Sequence, residues 1–233
     1  MTELDPRTRA KRDAGEAAVD RYVRSGQRVG LGTGSTAVWA IRRIGARIAD
    51  GTLADIAGIA TSHAAAVDAE ECGIPLVTFD DVGRLDLTID GADEVSPSLD
   101  LVKGGGGAHL RELVVAQASD HLVIVVDEAK LVPALGSTFA VPVEVFRLAR
   151  RVEHDYLTSL GAEVRRRGTD GEPFVTDEGN WILDADFGAI GDPAALLRSL
   201  QARAGIAAVG LFVGLHPTVL VAGLDGVREL ASP

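Results

Sequence analysis

The stretch RVGLGTGSTAVWAIRRIGARIA (Arg28–Ala49) decides the fold class. RVGLG is a short apolar run that reads as a buried strand. A Gly/Ser/Thr turn follows, and then Ala37, Val38, Ile41, Ile44, Gly45 and Ile48 recur with the 3.6-residue rhythm of an amphipathic helix. A strand that passes through such a turn into a helix is the repeating unit of an α/β sheet.

The same alternation runs on in both directions. Residues 7–25 carry Ala14, Ala17, Ala18 and Tyr22 at helical spacing, with Gly26 at the exit. IAGIAT, IPLVTF, LDLTID and HLVIVV are predicted strands, and AAAVDAEEC and AHLRELVVAQA are predicted helices between them. The expected fold is α/β: an open, mostly parallel, Rossmann-like sheet with helices on both faces. Near Pro133 the rhythm changes to VPVEVF (strand), RVEHDYLTSL (helix), AEVRRR, PFVTD and NWILDADF (strands), DPAALLRSLQAR (helix) and IAAVGLFV (strand). That order is close to a β-α-β-β-α-β split unit, with a hairpin around Asp177–Asn180. The tail TVLVAGLDGVREL reads as a strand and a helix that return to the first sheet. The expected division is a Rossmann-like catalytic domain of residues 1–135 and 212–233, and a smaller α+β, ferredoxin-like domain of residues 136–211.

Composition narrows the function classes. The chain has 233 residues, a formal net charge of −11 and one cysteine, Cys72. One cysteine permits no intrachain disulfide, and a cytoplasmic location is the simplest reading. No apolar run approaches the ~20 residues that span a bilayer, and the charged amino terminus does not suit a signal peptide. Nucleic-acid partners need a basic surface, whereas only RLARR (147–151) and RRR (165–167) are locally basic here. Both read as solvated faces. A small anion remains compatible with the net charge, because one lysine and a few backbone amides suffice locally.

Four segments carry candidate chemistry. GLGTGST (Gly30–Thr36) opens a helix, where unpaired N–H groups and the helix dipole favour phosphate. Ser35 stands where a dinucleotide motif wants its third glycine, so the hydroxyls of Thr33, Ser35 and Thr36 suit a terminal monophosphate better. The simpler account of this stretch is a turn with Ser or Thr as helix cap. DGADE follows LDLTI, which puts Asp90 and Asp93 beyond the carboxyl end of a strand, where ligands of open sheets sit. Taken alone, a D-G turn explains it equally well. Lys103 and the glycines 104–107 lie directly between a strand and a helix. Four glycines sacrifice folding entropy, and the inferred return is close approach of backbone amides to a ligand oxygen beside an ammonium. Glu112 follows on that helix, whose apolar face is read as Leu110, Leu113 and Val114, with Glu112 turned the other way. A carboxylate near an oxyanion site can move a proton between adjacent carbons without a metal. Lys130 ends the strand segment HLVIVVDEAK, and Lys11 is a surface charge unless its helix end folds over the site. His63, His109 and His216 lack metal-ligand spacing.

In order and spacing, GLGTGST, DGADE, KGGGGAHLRE, VDEAK with LG and PVEV after it, N-x-ILD and VGLF resemble ribose-5-phosphate isomerase, type A, along nearly the whole chain. The resemblance implies interconversion of ribose 5-phosphate and ribulose 5-phosphate through an enediolate, in the non-oxidative pentose phosphate pathway, with no cofactor. It further implies a pocket lined by Thr33, Gly34, Ser35, Thr36, Asp90, Gly91, Ala92, Asp93, Lys103, Gly104, Gly105 and Gly106. Glu112 would be the proton acceptor and Lys130 a further substrate contact. A homodimer or dimer of dimers is implied, with the small domain at the subunit interface. His109, Leu113 in place of a lysine, and the single hydroxyl pattern of TSHAAA depart from the family. Two rivals stand beside this reading: an amino-sugar phosphate deaminase or CoA-transferase-like enzyme on a similar scaffold, and a sugar-phosphate sensor that binds without turnover.

Overall fold

A computed structural model describes residues 5–169, 171–223 and 226–230. The chain divides into two compact units, one of residues 1–91, 111–130 and 216–233, the other of 92–110 and 131–215. The segment 92–110 therefore groups with the second unit, whereas the sequence reading had assigned it to the first domain.

The chain begins with α1 (Pro6–Tyr22), whose first turn is capped by the Asp5 carboxylate and opened by proline, a start signal that needs no helix propensity behind it. β1 (Arg28–Leu31), α2 (Ala37–Ala49), β2 (Ala57–Ala60) and α3 (His63–Glu71) follow as expected. IPLVTF, expected as a strand, is not one. Pro75 has no N–H to give a ladder, and only a single bridge joins Gly58 to Leu76. Thr78 then exchanges hydrogen bonds with Asp81 to open the one-turn α4 (Phe79–Val82). β3 (Leu87–Asp90) closes this part. In the second unit lie the short β4 (Glu94–Val95) and β5 (Leu101–Val102). The chain continues through α5 (His109–Gln117) and β6 (Leu122–Asp127).

The split unit is β7 (Val141–Val145), α6 (Arg150–Ser159), β8 (Glu163–Arg166), β9 (Trp181–Asp186), α7 (Pro193–Gln201) and β10 (Ile206–Val209). Its four strands pair antiparallel in the order β10-β7-β9-β8. PFVTD contributes only bridges, and Thr176 and Asn180 close the expected hairpin turn. β11 (Leu211–Phe212) pairs with β5 in a three-stranded sheet that also holds β4. The tail corrects the expectation of a helix: β12 (Thr218–Gly223) and β13 (Gly226–Leu230) form an antiparallel hairpin.

The first unit is one six-stranded sheet, β13-β12-β6-β3-β1-β2, parallel throughout except for β13. Both faces are covered, as the period of two requires. Val29 and Leu31 join a core with Ala14, Ala18, Ile41 and Ile44, while a side chain at Gly30 would meet Thr88 and Val115 of α5. Strands buried on both sides read as continuous apolar runs, which is why LVIVVD is buried at every residue. Among the described residues no helix is long and apolar enough to cross a membrane.

Candidate active site

In the first unit, the carboxyl ends of β1 and β3 bring the 33–36 turn to Asp90. Asp90 is 1% exposed, and its Oδ1 accepts from the N–H of Thr33 (3.1 Å) and of Gly91 (2.7 Å). A β-carbon at Gly32 would overlap that carboxylate, so the glycine is a clearance requirement. Thr33 Oγ1 donates to Ser62 Oγ at 2.7 Å and lies 2.7 Å from Thr61 Oγ1, a chain of hydroxyls linking the turn to the end of β2. Gly34 holds φ +109°, and Thr36, though it precedes α2, makes no side-chain cap bond. The N-cap account of GLGTGST is therefore not what its hydroxyls do. Lys11 reaches the same turn, its Nζ donating to Ser35 Oγ at 2.8 Å. The sequence left Lys11 conditional on where its helix end folds, and the packing of α1 on α2 supplies that condition. Lys130 closes a 3-10 turn after β6 and is half-buried.

Glu112 is also in this unit, and here the sequence reading is corrected. Val114 is 47% exposed, whereas Glu112 is 5% exposed and Val115 and Ala116 are buried. The inward stripe of α5 runs through residues 109, 112, 115 and 116, so the carboxylate lies on the buried face. It also lies in the first helical turn, where the dipole favours an anion.

In the second unit, the rest of DGADE has two duties. Asp93 Oδ2 accepts from Gly105 N–H at 2.7 Å. Glu94, fully buried, accepts from the N–H groups of Gly136 (2.6 Å), Thr138 (2.6 Å) and Phe139 (2.9 Å) and from Thr138 Oγ1 (2.7 Å). Its role is to fold the 136–139 loop, a purpose that no local pattern in DGADE reveals. Lys103 is 3% exposed at the end of β5, its Nζ 5.6 Å from the centre of the Phe212 ring, within cation–π range. Gly104 and Gly107 have φ of +102° and +81°, and Gly105 would press a β-carbon on the Asp93 carboxylate. Gly105 and Gly106 are exposed. The glycines are required by backbone shape and clearance as well as by any ligand.

His109 lies under this loop, fully buried, with a Gly104 β-carbon excluded by its ring. Its Nε2 is 3.9 Å from Glu144 Oε2, and neither ring nitrogen has a hydrogen-bond partner. Burial, reinforced by the positive charges of Arg167 and Lys103, pushes the imidazole down to about 3, and burial pushes the Glu144 carboxyl up. The folded pKa of His109 lies below its ordinary 6.5, so between pH 6.5 and about 3 the unfolded chain binds a proton that the folded chain refuses. Stability from this group is complete above pH 6.5 and falls by ~1.4 kcal/mol per pH unit below it. Glu144 acts in the opposite sense, favouring the fold as it becomes protonated. His109→Leu should therefore flatten the acid limb. Urea midpoints of variant and wild type at pH 7 and pH 5 check this, and a parallel shift in both would refute it.

The arginine runs are not simply solvated. Arg147, Arg150 and Arg166 stand 6.0, 5.8 and 5.6 Å from the Trp181 ring centre. Arg167 turns inward to Asp184 and to the carbonyls of Gly104 and Gly105. Three consecutive arginines give no sign of which one is drawn in; the pairing of β8 with β9 decides it.

The sequence model of ribose 5-phosphate isomerase A (phosphoriboisomerase A) matches residues 57–226. Ribose-5-phosphate isomerase A of Chloroflexus aurantiacus is 50% identical over 226 residues, covering 97% of this chain and 95% of that protein. Solved ribose 5-phosphate isomerases of Methanocaldococcus jannaschii (39% identity, TM-score 0.90) and Plasmodium falciparum (36%, 0.92) each cover 96% of this chain and 98% of their own. A further structure, of D-ribose-5-phosphate isomerase in complex with phospho-erythronic acid, has 33% identity and a TM-score of 0.92, covering 96% of this chain and 98% of its own. The chain belongs to the ribose 5-phosphate isomerase A family.

Proposed function

We propose that Glu112 is the base, and Lys103 with the glycine-loop amides the oxyanion site, of the aldose–ketose isomerisation of D-ribose 5-phosphate and D-ribulose 5-phosphate that family membership assigns to this chain. The observation that carries the reading is burial: Asp90, Lys103 and Glu112 are 1%, 3% and 5% exposed. Ionisable side chains are rarely buried so deeply unless paired or used, since desolvating each costs several kcal/mol.

In this mechanism the phosphate docks on Thr33, Gly34, Ser35 and Thr36 with the Lys11 ammonium, at the amino end of α2. Asp90 or Asp93 carries the proton between ring oxygen and anomeric hydroxyl as the sugar opens. Gly91, Ala92 and Lys130 contact the substrate. Glu112 takes the C2 proton, the electron pair forms the C1–C2 double bond, and charge collects on the C1 oxygen beside Lys103, Gly104, Gly105 and Gly106. Return of the proton to C1, with transfer of the hydroxyl proton from O2 to O1, gives the ketose. A sensor that only binds has no use for a buried base, and a deaminase or CoA transferase would need an amine or thioester partner.

We also infer a homodimer or dimer of dimers built through the second unit. There Phe146, Leu148 and Val152 are 48%, 97% and 57% exposed within seven residues, an apolar patch suited to a second copy. Purified enzyme should form ribulose 5-phosphate from ribose 5-phosphate at the same rate with and without EDTA, and run at a multiple of 24.3 kDa. No ketose product would remove the isomerase, and a monomer mass would remove the interface.

A further inference from the structure

We propose that Arg167 is a positioning residue for the glycine loop: held by Asp184, its guanidinium grips the Gly104 and Gly105 carbonyls and thereby aims the loop amides. The proposal rests on the isomerase reading for its consequence in turnover, while its geometry stands within the second unit alone.

The guanidinium uses its whole fork. Nε and Nη2 donate to the two oxygens of Asp184 at 3.0 and 2.5 Å, a bidentate pair that fixes the plane. Nη1 then donates to Gly104 O at 2.8 Å and Gly105 O at 3.2 Å. The side chain is 17% exposed, and its guanidinium carbon lies 5.8 Å from the centre of the Phe174 ring, which itself closes the space beside Gly107. The backbone that carries it is also tied, Arg167 N–H donating to Ile182 O and Arg167 O accepting from Phe174 N–H.

The consequence follows from the planar peptide. In a trans peptide the C=O of one residue and the N–H of the next point in opposite directions. Holding Gly104 O sets the N–H of Gly105, which donates to Asp93. Holding Gly105 O sets the N–H of Gly106 to point away from Arg167. Glycine peptides have little intrinsic preference between such orientations, so an outside grip on their carbonyls decides which way the amides face. A single ammonium cannot hold a carboxylate bidentately and two carbonyls at once, so lysine is a poor substitute.

The test uses Arg167→Lys, Arg167→Ala and, as a neighbouring control, Arg165→Ala, whose guanidinium is 78% exposed and paired with Glu163. Arg167→Ala should lower kcat about 10²-fold, the scale of misplacing catalytic groups by an ångström, while KM moves less than about threefold. Added guanidinium ion should restore part of that loss. Arg167→Lys should lose kcat about tenfold or more with melting unchanged. Arg165→Ala should match wild type. Hydrogen exchange at the Gly105 and Gly106 amides should quicken in both Arg167 variants. If Arg167→Lys keeps wild-type kcat and wild-type exchange, the clamp is refuted, and this variant carries the test should Arg167→Ala fail to fold. If the wild type forms no ribulose 5-phosphate, the isomerase reading falls, and amide exchange alone still decides whether Arg167 orders the loop.

Discussion

Glu112→Gln is expected to fold, to bind ribose 5-phosphate, and to turn over at least about 10²–10⁴-fold more slowly than wild type. The substitution keeps the shape of a side chain that is 5% exposed on the inward stripe of α5. It therefore opens no cavity and leaves the helix packing as it was. What it removes is the capacity to hold a proton taken from carbon, which an amide lacks at any accessible pH. The loss should appear in kcat, because the group acts on the transition state and contributes little to ground-state binding. Calorimetric titration with ribose 5-phosphate separates the two: retained affinity with lost turnover places the base. Turnover within a few-fold of wild type would take the role from Glu112. Phospho-erythronic acid, bound by a solved relative, offers a second check, since a site intact except for its base should still bind it.

How much of this was readable beforehand differs by level. The parallel sheet was legible because strands buried on both faces must be apolar throughout, and LTID and LVIVVD are. The motif acids and Lys103 were legible from residue type at strand ends. What failed depended on partners distant in sequence. Val114 was counted as core and Glu112 as outward, because the helix was read by counting apolar residues; its inward face is instead set by what it packs on, including Val115 beneath Gly30. The helix expected at the end of the tail became β13 because β12 enters the sheet beside β6 and offers a free edge to the residues after it. Glu94, standing between the proposed substrate ligands and the rest of the chain, serves the 136–139 loop some forty residues away. Arg167 holds the loop at 104–105 across sixty-two or sixty-three positions, a separation that a single sequence does not encode visibly.

The second large effect should come from Lys103→Met, and its value lies in a split between activity and stability. Removing one preorganised oxyanion donor commonly costs about 10²–10³ in kcat, and the Lys103 ammonium would carry that share here. Methionine retains most of the apolar stem against the Phe212 ring, and the Lys103 N–H still donates to Gly210 O at 2.9 Å, so strand β5 keeps its anchor. The variant also deletes a charge that is 3% exposed, and relieving that desolvation should leave the melting temperature unchanged or higher. The same deletion weakens the positive field on buried His109, whose depressed pKa should move upward, an effect visible by NMR of the imidazole. An ordinary structural lysine predicts the reverse: lost stability with turnover falling only as the folded fraction falls. Lys103→Arg should not restore the rate, because a planar fork in a space shaped for a compact ammonium displaces the ring and the glycines beside it. If Lys103→Met turns over like wild type while its stability drops, the ammonium is a packing element and the charge on the sugar oxygen must be met by the glycine amides without it.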